Sequence, residues 1–234
     1  MTNNAEGAIL QRDGRMYALT TRIPAGIITP GQLETIANVR RKYHVPILKI
    51  TSGQRILFAG IEPEDLPRAI ADLGPLAKPE TSPCVKFVQA CLGTDMCTYG
   101  KQDSVGLARA IDEKFKDRTF PAKIKIGVSG CPRCCSESNT RDIGIIATPK
   151  GWTIFFGGNA GTRPRFGDLI ARDLTSSEVV DCALRLAEYY RSRANPHERT
   201  ARFMERTGIE SLKSELLPQI PYIPLETVKN HENY

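Results

Sequence analysis

Four cysteines in two clusters are the residues of this chain best suited to do chemistry: Cys91 and Cys97 in ACLGTDMCTYG, and Cys131 and Cys135 in KIGVSGCPRCCSES. The first pair is spaced C-x₅-C and the second C-x₃-C, with 33 residues between the pairs. Four thiolates on two glycine-flanked loops suit a [4Fe–4S] cube, which takes one cysteine per iron. Gly93, Gly100, Gly127 and Gly130 would let backbone approach such a cluster and turn N–H groups toward its sulfurs. Structural zinc is the first competitor, but its loops usually read C-x₂₋₄-C, which the first pair does not match. A disulfide framework belongs to short secreted chains. Unliganded core cysteines are the remaining alternative.

The elements that must hold these loops follow from periodicity and turn signals. Residues 7–12 and 15–21 read as strands joined across Asp13-Gly14, a hairpin signal. Thr29-Pro30 opens a helix to about residue 43, with Leu33, Ile36 and Val39 expected on one face. A second strand pair, 47–51 and 55–60, turns around Ser52-Gly53, and a short helix follows at about 64–73. Residues 74–83, rich in proline and polar residues, read as a linker. Beyond the first cysteine loop a helix is expected from Ser104 to about Lys116, with Leu107, Ala110, Ile111 and Phe115 sharing a face. Strands follow at 123–128, 142–147 and 152–157, and the second cysteine loop comes directly after the first of them. Thr175 and Glu178 form a capping box before a long helix with Val179, Ala183, Leu186 and Tyr190 in its apolar stripe. Two short helices complete the pattern, one stopped by Gly208, and the tail after Leu217 has no periodicity. The domains expected are 1–76, 77–216 and a tail at 217–234, in an α+β architecture.

A chain of 234 residues, 41% hydrophobic and 25% charged, can bury a substantial core. Its amino terminus has neither the basic nor the apolar region of a secretory signal, and no apolar run approaches a membrane span. Seven cysteines, an odd number, argue against a fully paired extracellular framework, so a cytoplasmic location is expected. The net charge of +6 calls for an anionic ligand or partner. Lysines and arginines are dispersed, aromatics are only 7%, and no recognition-helix or stacking signature occurs, so nucleic acid is not expected. His44, His197 and His231 form no pair at metal spacing.

Residues 86–158, from KFVQACLGTDMCTYGKQDS to GWTIFFGG, resemble the sirohaem and [4Fe–4S] region of sulfite and nitrite reductases. Upstream, TTRIPAGIITPGQLETIANVRRKYHVPILKITSGQRILFAGI resembles the ferredoxin-like half-domain that precedes that region in the family. The likeness runs over roughly residues 7–215 in an unbroken order of motifs. It is closest to small single-repeat sulfite reductases and to the sirohaem portion of the NADH nitrite reductase large subunit. What it implies is a ferredoxin-like half-domain followed by an α+β sirohaem and [4Fe–4S] domain, reducing sulfite to sulfide or nitrite to ammonia.

By the same resemblance, Cys91, Cys97, Cys131 and Cys135 hold the cluster, and Cys135 also bridges it to the sirohaem iron. Cys134 competes for that role in sequence register, and the C-x₃-C spacing favours Cys135. Arg22 matches an arginine of the substrate pocket. Lys123 and Lys125 match a substrate-binding Lys-x-Lys pair that tandem-repeat enzymes carry in their other repeat. The plain alternative for that pair is an exposed face of an edge strand. Candidates for the sirohaem carboxylates are Arg55, Arg133, Arg163 and Arg165, with Thr51, Gln54 and Asn159 adding neutral hydrogen bonds. A single-repeat chain would complete the tandem arrangement only as a homodimer, the alternative being a monomer with an open haem face. No dinucleotide-binding glycine motif or P-loop occurs, so electrons are expected from an external donor such as a ferredoxin or a flavoprotein. The rival readings are a cofactor-bearing electron-transfer protein without turnover, and a zinc-stabilised basic nucleic-acid binder.

Overall fold

The computed structural model of the chain describes residues 8–77 and 83–216. The chain divides into two compact units, residues 1–82 and 83–234.

The first unit is a four-stranded antiparallel sheet under two helices. Its strands are β1 (Ile9–Leu10), β2 (Tyr17–Thr20), β3 (Ile47–Ile50) and β4 (Ile56–Ile61), in the order β1-β2-β4-β3. The Asp13-Gly14 turn forms as its residue types require. Asp13 Oδ1 accepts N–H bonds from Arg15 and Met16, and Gly14 sits at φ +70°. Helix α1 (Pro30–Lys42) begins with a reciprocal cap, Gln32 N–H to Thr29 Oγ1 and Thr29 N–H to Gln32 Oε1. Ile36 and Val39 enter the core, but Leu33 is exposed. At about 100° per residue, steps of three carry Leu33 a third of a turn away from Val39. With α2 (Leu66–Leu73), the core gathers Leu19, Phe58, Ile61, Leu66 and Leu73.

The second unit is a five-stranded mixed sheet: β5 (Val85–Ala90), β6 (Ile124–Ser129), β7 (Ile143–Thr148), β8 (Gly151–Phe156) and β9 (Asp168–Leu174), in chain order across the sheet. β5, β6 and β7 run parallel, while β8 and β9 pair antiparallel. Helix α3 (Ser104–Phe115) is the crossover between β5 and β6. Its buried stripe is Leu107, Ala108, Ile111 and Phe115; Ala110 lies about 60° outside that arc and is exposed. Helix α4 (Ser176–Arg193) starts at the Thr175/Glu178 box and buries Val179, Cys182, Ala183, Leu186 and Tyr190. Burial pushes the Cys182 thiol up to about 12. The short helices are α5 (Thr200–Thr207) and α6 (Ile209–Leu216), separated by Gly208 at φ +78°. Phe203 of α5 packs edge-on against Tyr190 with ring centroids 5.4 Å apart. The expected tail after Leu217 lies outside the described residues.

Strands β5 and β9 are additions to the pattern read from sequence. β6 lies between β5 and β7, so the edge-strand alternative for Lys123 and Lys125 does not hold.

Candidate functional site

Both cysteine loops leave the same ends of neighbouring parallel strands. β5 runs into Cys91 and β6 runs into Gly130 and Cys131, and Cys91 N–H extends the ladder to Val128 O at 3.3 Å. Two sequence clusters that lie far apart are thereby brought side by side by the β5–α3–β6 unit.

Glycines allow the loops to interlock. Gly93 sits at φ +57°, and a Cβ there would lie 2.5 Å from Ser104 Oγ. A Cβ on Gly130 would lie 2.6 Å from Gly93 Cα, so the two backbones touch where any side chain would part them. Across this contact, Lys101 N–H donates to Gly130 O at 2.7 Å. Gly130 N–H donates to Cys91 Sγ at 3.0 Å. Arg133 also crosses between the loops, its guanidinium carbon 3.7 Å from the Tyr99 ring centre.

The cysteines differ in setting. Cys131 is buried, Cys91 and Cys97 are half-buried, and Cys135 is exposed. Cys134 is half-buried. It has φ +56° and packs against the apolar group of Ile146, Phe155 and Leu169. Among the described residues no three His, Cys, Asp or Glu side chains converge as ligands of one metal ion.

Beneath the second loop lies a buried polar floor that sequence reading did not find. Arg141, 4% exposed, donates from Nη2 to Gln89 Oε1 and to Glu137 Oε2, both at 2.7 Å. Ser129 and Ser138 hydroxyls share a hydrogen bond of 2.8 Å, and Ser136 N–H donates to Ser129 Oγ at 3.2 Å. Next to Arg141, buried Asp142 accepts from Arg199 Nη2, from Thr200 and from Lys125 N–H. That ties β7 to α5 and to the start of β6. Nothing in TRDIG distinguishes these two charges from a solvated pair. Ser104 was visible only as a helix start.

Lys123 and Lys125 are at the other end of β6. Lys125 precedes Cys131 by six positions, about 20 Å of extended chain at ~3.3 Å per residue. Lys123 is exposed and Lys125 half-buried, its Nζ 5.9 Å from the Phe87 ring centre. Burial, and then the charges of Arg199 and Lys123, hold the Lys125 ammonium below the ordinary lysine pKa.

Asn159 and Arg165 close a small hairpin on themselves. Asn159 Nδ2 donates to Arg163 O at 2.7 Å, and Arg165 holds Gly157 O at 2.8 Å and Asp168 at 2.7 Å. Arg163 is largely exposed, 3.6 Å from Glu205. In the first unit, Thr21 N–H donates to Ile56 O at 2.9 Å, which sets the Arg22 loop beside the 51–55 turn. Thr51 Oγ1 closes that turn on Arg55 O at 3.1 Å, and Gln54, itself at φ +56°, packs over Gly26. Arg22, Thr51, Gln54 and Arg55 therefore cluster at one end of the first sheet.

Residues 81–221 match the family model described as "Nitrite and sulphite reductase 4Fe-4S domain", and residues 9–76 match "Nitrite/Sulfite reductase ferredoxin-like half domain". The chain belongs to the nitrite and sulfite reductase family. Among its relatives is the assimilatory-type sulfite reductase of Nitratidesulfovibrio vulgaris, 43% identical over 93% of this chain and 100% of that protein. The nitrite reductase [NAD(P)H] of Bacillus subtilis is 38% identical over 92% of this chain, which corresponds to 26% of the larger protein. In fold, this family member superposes on the Mycobacterium tuberculosis NirA protein with a TM-score of 0.77 at 16% identity, over 92% of this chain and 42% of that one. A dissimilatory sulfite reductase gives 0.75 at 15% identity, over 94% and 73%. The ferredoxin-like half-domain and the 4Fe-4S domain are thus both present in one α+β chain. No described helix is long and apolar enough to cross a membrane.

Proposed function

We propose that this chain reduces sulfite to sulfide in a six-electron reaction, at a sirohaem bridged through Cys135 to a [4Fe–4S] cluster held by Cys91, Cys97, Cys131 and Cys135. The observation that carries the reading is the interlock of the two cysteine loops through Gly93 and Gly130. It brings the loops that carry the four cysteines into backbone contact, and Gly130 N–H donates to Cys91 Sγ. That donor set fits a cube, which puts one thiolate on each of four irons, better than a single ion. Cys135 is exposed while Cys134 is packed on apolar side chains, which supports Cys135 as the bridging residue.

When bound, sirohaem and the cluster supply the electron chemistry. The chain's own task is to bind anions and deliver protons. Arg22 and Arg55, gathered with Thr51 and Gln54, are suited to an oxyanion and to haem carboxylates. Arg133 and Arg163 are further carboxylate partners. Arg165 is a weaker one, because Asp168 already holds it. Lys123 and Lys125, remote from Cys131 along β6, would serve a haem only across a homodimer. We infer that the half-domain ends near residue 76, that the chain works in the cytoplasm, and that a ferredoxin or flavoprotein supplies electrons.

Sulfite is placed ahead of nitrite because this chain is 43% identical to its sulfite reductase relative and 38% identical to the B. subtilis nitrite reductase. The test is turnover of cofactor-replete protein with reduced methyl viologen, comparing kcat/KM for the two anions. A higher value for nitrite reverses the substrate. A coloured protein turning over neither anion is an electron carrier instead.

A further inference from the structure

We propose that Ser104 sets the reduction potential of the cluster through Cys91, an inference that rests on the iron–sulfur reading above. Ser104 is fully buried at the first position of α3. Its hydroxyl donates to Cys91 O at 2.7 Å and stands 3.5 Å from Cys91 Sγ. The same sulfur takes the Gly130 N–H at 3.0 Å. Cys91 is therefore the thiol on which the loop junction focuses its donors.

The hydroxyl has little room to leave. Cβ positions built on Gly93 and Gly130 would fall 2.5 and 3.0 Å from Ser104 Oγ, so backbone closes over it from both loops. Rotation about one bond is what remains to it. A neutral thiol is a poor acceptor, whereas a thiolate bound to iron carries charge, and hydrogen bonds to charged acceptors are shorter and about twice as strong. Once Cys91 ligates iron, the serine proton turns from the carbonyl toward the sulfur. A donor on a ligating sulfur stabilises the more negative, reduced state and so raises the potential. A serine that merely started the helix would not affect the potential.

The experiment uses the cofactor-loaded full chain, wild type and Ser104→Ala. Iron and sulfide content are measured first, then the cluster midpoint by a redox titration followed by electron paramagnetic resonance. The variant is expected to hold a full cluster whose reduction equilibrium is about three- to tenfold weaker, a potential lower by about 30 to 60 mV for a one-electron couple. A fully loaded variant within twofold of wild type overturns the role of Ser104 and leaves the iron–sulfur reading standing. A wild-type chain without a four-iron cluster overturns both. If Ser104→Ala cannot assemble the cluster, wild-type protein decides by electron–nuclear double resonance. The reduced cluster should show a coupled proton that exchanges rapidly in deuterium oxide, and its absence overturns the proposal.

Discussion

The guanidinium carbon of Arg133 lies over Tyr99, 3.7 Å from the ring centre, so a residue between two cysteines of the second loop rests on one that follows the first pair. Both side chains are exposed, which limits such a contact to about 0.5–1 kcal/mol. A double-mutant cycle of Arg133→Ala and Tyr99→Ala, read by denaturant unfolding, should return a coupling of that size. A coupling of zero would mean that the stack contributes nothing between the loops.

Gly93→Ala should be far worse than Gly14→Ala, although both glycines have positive φ, +57° and +70°. A Cβ on Gly14 meets nothing within 4 Å, so only the left-handed backbone is penalised, about 1–2 kcal/mol. At Gly93 the same penalty is joined by a collision with Ser104 and with the backbone of Gln102, 2.7 Å away. Iron content per chain should fall sharply for Gly93→Ala and stay at the wild-type level for Gly14→Ala. Equal iron in the two variants would separate the interlock from cluster binding.

The neighbours Cys134 and Cys135 should respond oppositely to serine. Cys134→Ser sets a hydroxyl against Ile146, Phe155 and Leu169, at a cost of about 1–3 kcal/mol in stability, with the optical spectrum retained. Cys135→Ser should leave stability of the cofactor-free chain unchanged, since the side chain is exposed, while abolishing magnetic coupling between haem and cluster. Coupling that survives in Cys135→Ser but not in Cys134→Ser would exchange their roles.

Arg22→Ala tests the cationic end of the first sheet. Loss of one charge-assisted donor to an oxyanion typically removes about 2–4 kcal/mol of transition-state stabilisation. The expected result is a fall in kcat/KM of about thirtyfold or more for the anion reduced. Activity within threefold of wild type would put the anion elsewhere.

Much of this was legible in the residues, for identifiable reasons. Gly, Pro, Thr and Asp announce turns and caps by their own backbone chemistry, and the Asp13-Gly14 hairpin, the Thr29 cap and the Thr175 box all form where those residues stand. Strand β5 was missed because VKFVQA is almost wholly buried, so it lacks the alternation that marks a half-exposed strand. β9 carries Asp168, Arg172 and Asp173, and its charges masked a buried middle. Leu33 and Ala110 fall off the buried faces because each step of three residues drifts about 60° around a helix. The polar floor was hidden for a different reason: Gln89, Arg141 and Asp142 are types ordinarily found at the surface, and only the fold shows them enclosed.

The β5–α3–β6 crossover gives cofactor loss a mechanical meaning. Cys91 precedes α3 and Cys135 follows β6, so a group gripping both loops would close a ring of chain around the helix, as a covalent staple does. Tethering the ends of a segment restricts its open states, and a group that binds the folded loops adds its binding free energy to theirs. Oxidative destruction of the cluster would then loosen α3 and β6 before it reached the aromatic packing of Tyr190 and Phe203. Hydrogen exchange along residues 104–129, followed while air bleaches the protein, would chart that damage as it spreads.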